Sequence, residues 1–66
     1  MKTEEFTFKD AIVSVKRICI HLYAEDEYMV TVSENGKEVI AVETFGGIFE
    51  SNKSIAERIY NTVVRG

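Results

Sequence analysis

The segment EYMVTVSENGKEVIAVETF, residues 27–45, has the pattern of a β-hairpin and is the strongest fold signal in the chain. Asn35-Gly36 stands at its centre, and a type I′ turn favours this pair because both central residues need positive φ. Val, Ile, Thr, Tyr and Phe, which are typical of strands, are frequent on either side of the pair. With Asn35-Gly36 as a two-residue loop, Val32 is expected to lie opposite Val39.

This register sorts the hairpin side chains into two faces, since alternate residues of a strand point to opposite sides. The first face is apolar and is expected to meet the core; it carries Tyr28, Val30, Val32, Val39 and Ala41. The second face is half apolar, with Met29, Ile40 and Val42 among Thr31, Ser33 and Glu38. A half-apolar second face predicts that something covers it.

The segment before the hairpin is ambiguous between helix and strand. Its β-branched residues favour a strand, whereas its apolar residues recur at the spacing of a helix, about 100° per residue. One arc then holds Phe8, Ala11, Ile12, Val15, Ile18, Cys19, Leu22 and Tyr23. We predict a helix over residues 7–23, because burial of such a stripe supplies most of a helix's stability. Val13 and Ile20 fit this helix badly, since both fall on its polar side.

A second helix is predicted at the C-terminus. Ser54 and Glu57 have the spacing of a capping box, and an apolar stripe follows through Ile55, Ala56, Ile59, Tyr60, Val63 and Val64. Before it, Ile48-Phe49 adds either a short third strand or a plug for the core. The expected fold is a single α+β domain over residues 1–66, helix, hairpin and helix in order, with both helices packed on one sheet face.

Composition and charge restrict the class of protein. The chain has 66 residues, of which 45% are hydrophobic, and a net charge of −3. It contains no apolar run of the roughly 18 residues that a membrane helix needs. Its start, MKTEEFTF, lacks the basic and apolar regions of a secretory signal, and its one cysteine cannot form an internal disulfide. These features predict a reduced, cytoplasmic protein.

Candidate catalytic and metal-ligating residues are few. Cys19 and His21 are the only cysteine and the only histidine, and they share a face only if their segment is a strand. Two such ligands fall short of the three or four that a zinc site uses. The carboxylates are expected in a loop and on opposite faces of a strand, so no pocket that raises the pKa of a carboxyl is indicated. The sequence predicts no enzyme, no metal and no cofactor.

One nucleic-acid-binding family is similar over less than half the chain. The pattern Tyr28-x-Val30-x-Val32-x-x-x-Gly36 resembles the hairpin of the double-stranded RNA-binding domain. This resemblance implies a helix, a hairpin and a second helix that bind duplex RNA, for which Lys53 and Arg58 are the candidate contacts. The chain departs from the family at the second helix, where one lysine stands in place of a basic pair. Small DNA-binding domains with a three-stranded sheet and a C-terminal helix offer a looser analogy. Scattered basic residues and an acidic net charge disfavour nucleic acid as a partner.

Apolar side chains without predicted cover indicate a partner protein instead. They are Met29, Ile40 and Val42 on the second hairpin face, and Val13 and Ile20 on the polar side of the first helix. Full burial of each is worth about 1.5–3 kcal/mol, which is large for a small domain. The sequence therefore predicts a regulatory or interaction domain that binds another protein or forms a homodimer, by stacking of sheet faces or by pairing of edge strands. The alternative cover is the N-terminal segment with Phe6.

Overall fold

The computed structural model describes residues 3–9, 11–21, 24–47 and 50–64. They form a four-stranded antiparallel sheet and one C-terminal helical segment. The elements are β1 (Thr3–Phe8), β2 (Ala11–Cys19), β3 (Asp26–Glu34), β4 (Lys37–Gly46) and α1 (Asn52–Ile59), followed by a π-helical turn over Tyr60–Val64. The strands lie side by side in chain order, so β1 and β4 are the two edges of the sheet. The protein is a small α+β protein, as predicted, but not a helix–hairpin–helix.

The predicted helix over residues 7–23 is wrong. In its place β1 ends at Phe8, Lys9 takes a positive φ of 45°, and β2 begins at Ala11. Strand β2 pairs with β1 on one side and with β3 on the other. This position buries alternate residues of β2, so that Val13 and Val15 have no exposed surface. The hydrogen bonding and burial of β2 as a central strand therefore decide its structure, although its apolar residues also have the spacing of a helix.

The predicted turn at Asn35-Gly36 is confirmed. Both residues have positive φ, 53° and 78°, and Glu34 pairs with Lys37 across the turn. These are the features of a two-residue type I′ hairpin.

The predicted register beyond this turn is wrong, because a bulge adds Val39 to β4. Val32 pairs with Ile40 and Val30 with Val42, each one position further along β4 than predicted. A shift by one residue exchanges the two faces of a strand. Ile40 and Val42 therefore lie on the same face as Val30 and Val32, which are fully buried.

Helix α1 packs on this face, which we call the covered face. The core between them consists of Ala11, Val13, Val15, Tyr28, Val30 and Val32 from the sheet and Ile55, Ala56, Ile59 and Tyr60 from the helical segment. Half-buried apolar side chains surround it: Phe6, Phe8, Ile40, Val42, Val63 and Val64. The predicted apolar stripe of the C-terminal helix is thus confirmed. The opposite side of the sheet, which carries no helix, is called the open face.

The helix begins earlier than the predicted capping box at Ser54. Ser51 is the N-cap, and its hydroxyl oxygen accepts a hydrogen bond from the Ser54 backbone N–H at 3.1 Å. Near the helix start, Asn52 Nδ2 donates to Glu4 Oε1 at 2.9 Å. The prediction of a strand or plug at Ile48-Phe49 concerns residues outside the described ranges.

Close approach of the helix to the sheet requires a glycine at the end of β4. A Cβ atom on Gly46 would lie 2.6 Å from Tyr28 Cε2 and 2.8 Å from Ile55 Cδ1. Both separations are far shorter than a van der Waals contact, so only a residue without a side chain lets the helix sit at this distance.

Hydrogen bonds from Arg58 connect the helix to the end of β4. Its Nη1 donates to Thr44 Oγ1 at 3.0 Å, and its Nη2 donates to the carbonyl oxygen of Phe45 at 2.9 Å. Its Nε and Nη2 also donate to the two carboxylate oxygens of Glu50, at 3.1 and 3.3 Å. The hydrogen bond from Arg58 is the main cause that holds the pKa of Glu50 below its usual value of 4.5.

Acid should therefore weaken the ion pair between Arg58 and Glu50. The folded-state pKa of Glu50 is lowered, so its carboxylate stabilises the fold above the unfolded-state pKa, and this contribution is lost as the pH falls through the folded-state value. We expect the stability difference between the unchanged chain and Arg58→Gln to be largest near neutral pH and to shrink below about pH 4. Urea unfolding at fixed chain concentration measures it. In the Glu50→Gln background, where this carboxylate is absent, the same Arg58→Gln change is the control and should show no such pH dependence. An equal Arg58→Gln difference at neutral and acidic pH would contradict the pairing.

In the part of the chain that the structure describes, no helix combines the length and the apolar character needed to cross a membrane.

Candidate functional site

The five side chains of the two patches predicted to meet a partner lie in different environments. Val13 is fully buried in the core, whereas Ile40 and Val42 are half-buried on the covered face. Met29 lies on the open face, and Ile20, just beyond β2, is 55% exposed. The bulge in β4 separates Met29 from Ile40 and Val42, so the predicted grouping of these three on one face is wrong.

The open face has a mixed composition. Its side chains stand in four cross-strand rows: Thr7, Ile12, Ser33 and Glu38; Glu5, Ser14, Thr31 and Ala41; Thr3, Lys16, Met29 and Glu43; and Cys19, Glu27 and Phe45. Hydroxyl and carboxylate groups outnumber apolar side chains in these rows. Such a face is typical of an antiparallel sheet with one side in water. The open face therefore needs no cover.

Strand β4 is the longer and more apolar of the two edges. It has ten residues and no proline, and near its two ends Val39 is 57% exposed and Phe45 is 55% exposed. Strand β1 has only six residues and carries the acidic pair Glu4-Glu5. Shortness and charge are devices that protect a strand edge from pairing. We call the outer side of residues 39–45 the β4 edge.

The register shows which backbone groups the β4 edge offers. The pair that closes a two-residue turn, here Glu34 with Lys37, is hydrogen-bonded, and hydrogen-bonded pairs then alternate along β3. Every second residue of β4 therefore turns its N–H and C=O away from β3: Ala41, Glu43 and Phe45. The contact from Arg58 to the carbonyl oxygen of Phe45 agrees with this direction.

A second feature lies at the loop end of the β2–β3 hairpin, where three different metal-ligand atoms converge. Cys19 pairs directly with Glu27 across the ladder, next to a bulge at Ile18, and His21 follows two residues after Cys19. The Cys19 Sγ, an imidazole nitrogen of His21 and a carboxylate oxygen of Glu27 all lie within 4.8 Å of one another. His21 Nε2 is 3.4 Å from Glu27 Oε2.

From the sequence, Cys19 and His21 are candidates but no metal site is predicted, and Glu27 is expected in a loop rather than on β3. The pairing of Cys19 with Glu27 depends on the β2–β3 register, which a helical assignment of β2 does not contain. The signal in the sequence is the two-residue spacing of Cys19 and His21, which places both side chains on one face only if their segment is a strand.

The two candidate nucleic-acid contacts do not form a basic patch. Lys53 is exposed in the first turn of α1. The guanidinium group of Arg58 is held by Glu50, Thr44 and the backbone of Phe45. Acids rather than bases predominate on the open face, where Lys16 stands among Glu5, Glu27, Glu38 and Glu43.

A surface depression lies beside the stacked rings of Phe8 and Tyr60, whose centroids are 4.7 Å apart. Its lining consists of Phe8, Lys9, Glu57, Tyr60 and Asn61. Both charged side chains in it are exposed, an arrangement typical of a solvated surface.

Comparisons of the chain with protein-family models, with curated proteins and with solved structures give no match. Its function is therefore inferred from the geometry of the β4 edge and of the donor cluster.

Proposed function

We propose that this protein is a non-enzymatic interaction domain that self-associates by pairing its β4 edge with that of a second copy. The observation that carries the proposal is a ten-residue edge strand with strongly exposed apolar side chains near both ends. Unpaired strand edges are templates for another strand. Antiparallel pairing of two copies creates one continuous eight-stranded sheet from two sheets of four strands, with both helices on the same side.

The covered face supports this choice of edge. Helix α1 lies mainly over β2 and β1, so the part of the covered face nearest the β4 edge is only partly shielded. Ile40 and Val42 are half-buried there. A second copy beside β4 buries more of both side chains, and apolar area removed from water contributes about 25 cal/mol per Å².

Charge and exposure select the register of the pairing. A register centred on Glu43 places two carboxylates directly opposite each other, which is unfavourable. A register centred on Val42 places Val39 opposite the partner's Phe45, so the two exposed large apolar side chains of β4 meet. It also forms symmetric hydrogen-bonded pairs between Ala41 and the partner's Glu43. The Val42-centred register is therefore the one that we propose.

The test is the absolute mass in solution, measured by light scattering after gel filtration over a range of chain concentrations. We expect twice the chain mass, falling toward the mass of one chain on dilution. A single-chain mass at every concentration would contradict self-association.

Nucleic-acid binding stays the alternative prediction, and the distribution of charge on the open face disfavours it. Its own test is a salt-dependent mobility shift with duplex RNA or DNA that is lost when Lys53 and Arg58 are changed. Arg58→Gln also removes contacts to β4, so Lys53→Gln is the cleaner variant.

A further inference from the structure

We propose that Cys19, His21 and Glu27 form a binding site for a divalent transition-metal ion, with Zn²⁺ as the expected ion. The proposal rests on the convergence of a thiol, an imidazole and a carboxylate at the loop end of the β2–β3 hairpin. It does not depend on the β4 edge, because none of the three residues belongs to β4.

The separations fit a metal site after small side-chain rotations. Zinc bonds of about 2.0–2.3 Å in a tetrahedral arrangement place neighbouring ligand atoms ~3.3–3.8 Å apart. His21 Nε2 and Glu27 Oε2 already meet this condition at 3.4 Å. The full set lies within 4.8 Å, so the sulfur needs to move by roughly 1 Å to complete the arrangement.

The backbone holds the ligands near this geometry. Cys19 and Glu27 are directly opposite each other on neighbouring strands, where side chains on one face lie side by side. The backbone N–H of His21 donates to Asp26 Oδ1 at 3.2 Å, and Arg17 Nη1 donates to Asp26 Oδ2 at 3.5 Å. These contacts fix the start of the loop after β2, so binding a metal requires little ordering of the chain.

The donor set selects the class of metal. Ca²⁺ and Mg²⁺ prefer sites built from oxygen atoms alone, whereas thiolate and imidazole suit zinc and its neighbours. Cys19 and Glu27 are half-buried and His21 is exposed, so an ion can enter from solvent. Three protein ligands leave the fourth tetrahedral position for water. On binding, the thiol of Cys19 loses its proton to solvent and becomes a thiolate ligand.

The competing interpretation is that His21 and Glu27 form only a surface ion pair, with Cys19 nearby by chance. Surface pairs of this kind contribute little and would give no sulfur–metal bond. A measurement that reports directly on such a bond therefore separates the two interpretations.

The experiment is a titration of the reduced, untagged chain with Co²⁺, a spectroscopic substitute for Zn²⁺, followed by competition with Zn²⁺. The chain has one cysteine and one histidine, so a thiolate-to-cobalt charge-transfer band can arise only from Cys19. We expect this band to saturate at one ion per chain, to show tetrahedral visible bands, and to vanish on addition of Zn²⁺.

Variants assign the ligands. Cys19→Ser should abolish the charge-transfer band, and His21→Gln and Glu27→Gln should each weaken Co²⁺ binding at least about 10-fold, since even residues that only orient metal ligands are worth about 10–100-fold. Glu5→Gln, the same change at an exposed acid of the open face on β1, is the matched control and should leave binding unchanged. Circular dichroism verifies that each variant is folded. Absence of the band, equal binding by Glu27→Gln and the unchanged chain, or saturation at one ion per two chains would overturn the proposal.

Discussion

Ala41→Pro is expected to convert the proposed dimer into a monomer without unfolding the chain. Proline lacks the backbone N–H, but the N–H of Ala41 points away from β3, so the strand ladder within the chain keeps its hydrogen bonds. In each of the two symmetric Ala41–Glu43 pairs, the carbonyl oxygen of Glu43 loses its N–H donor and faces the proline ring instead. Light scattering should report the mass of one chain at concentrations where the unchanged chain is dimeric, with the circular dichroism spectrum retained.

Thr7→Pro is the matched control at the opposite edge of the sheet. The same alternation turns the N–H of Thr7 away from β2, so this proline also spares the internal ladder. The Thr7→Pro chain should remain dimeric. If Ala41→Pro stays dimeric, or if Thr7→Pro dissociates instead, the pairing is not through the β4 edge.

Val13→Lys is expected to unfold the chain, whereas Ile12→Lys is expected to leave it folded. Val13 has no exposed surface, while its neighbour Ile12 is 42% exposed on the open face. A charged side chain buried without a partner costs several kcal/mol, and a chain of this size has a total stability of only about 3–10 kcal/mol. Circular dichroism and urea unfolding of the two variants measure the difference.

These adjacent substitutions also separate the strand from the helix that the apolar spacing predicts. In that helix Ile12 lies on the apolar arc and Val13 on the polar side, so the tolerated position would be Val13. Unfolding of Ile12→Lys together with a stable Val13→Lys would therefore contradict the four-stranded sheet.

The helical spacing at the N-terminus has a simple geometric origin. Phe8 ends β1 and Ala11 begins β2 directly opposite it, so two core-facing residues stand three positions apart across a short turn. Val15 follows four positions later on the same face. Steps of three and four are also those of an amphipathic helix. The residue that distinguished the two patterns was Val13, which fits the core side of a strand and the wrong side of a helix.

Other elements were predictable to different degrees. The Asn35-Gly36 turn and the apolar stripe from Ile55 to Tyr60 follow from local chemistry, and both are present. The bulge at Val39 has no comparable local signal, because it depends on how β4 fits β3 and the helix. Because of this one inserted residue, Ile40 and Val42 lie on the covered face, not on the face predicted for them. The candidate interaction site is therefore a strand edge rather than a sheet face.

Cysteine cross-linking at Val42 is the sharpest test of pairing between two β4 edges. In the proposed register Val42 faces the partner's Val42 in a non-hydrogen-bonded pair, where Cα atoms lie about 4.5 Å apart, within the range of a disulfide. Two Ala41 residues are then diagonal neighbours about 7–8 Å apart, which is too far. With Cys19→Ser as the background, mild oxidation should produce a covalent dimer of the Val42→Cys chain and leave the Ala41→Cys chain monomeric on a denaturing gel. If the Val42→Cys chain forms no covalent dimer at concentrations where light scattering shows two chains, the two copies do not pair through β4 in this register.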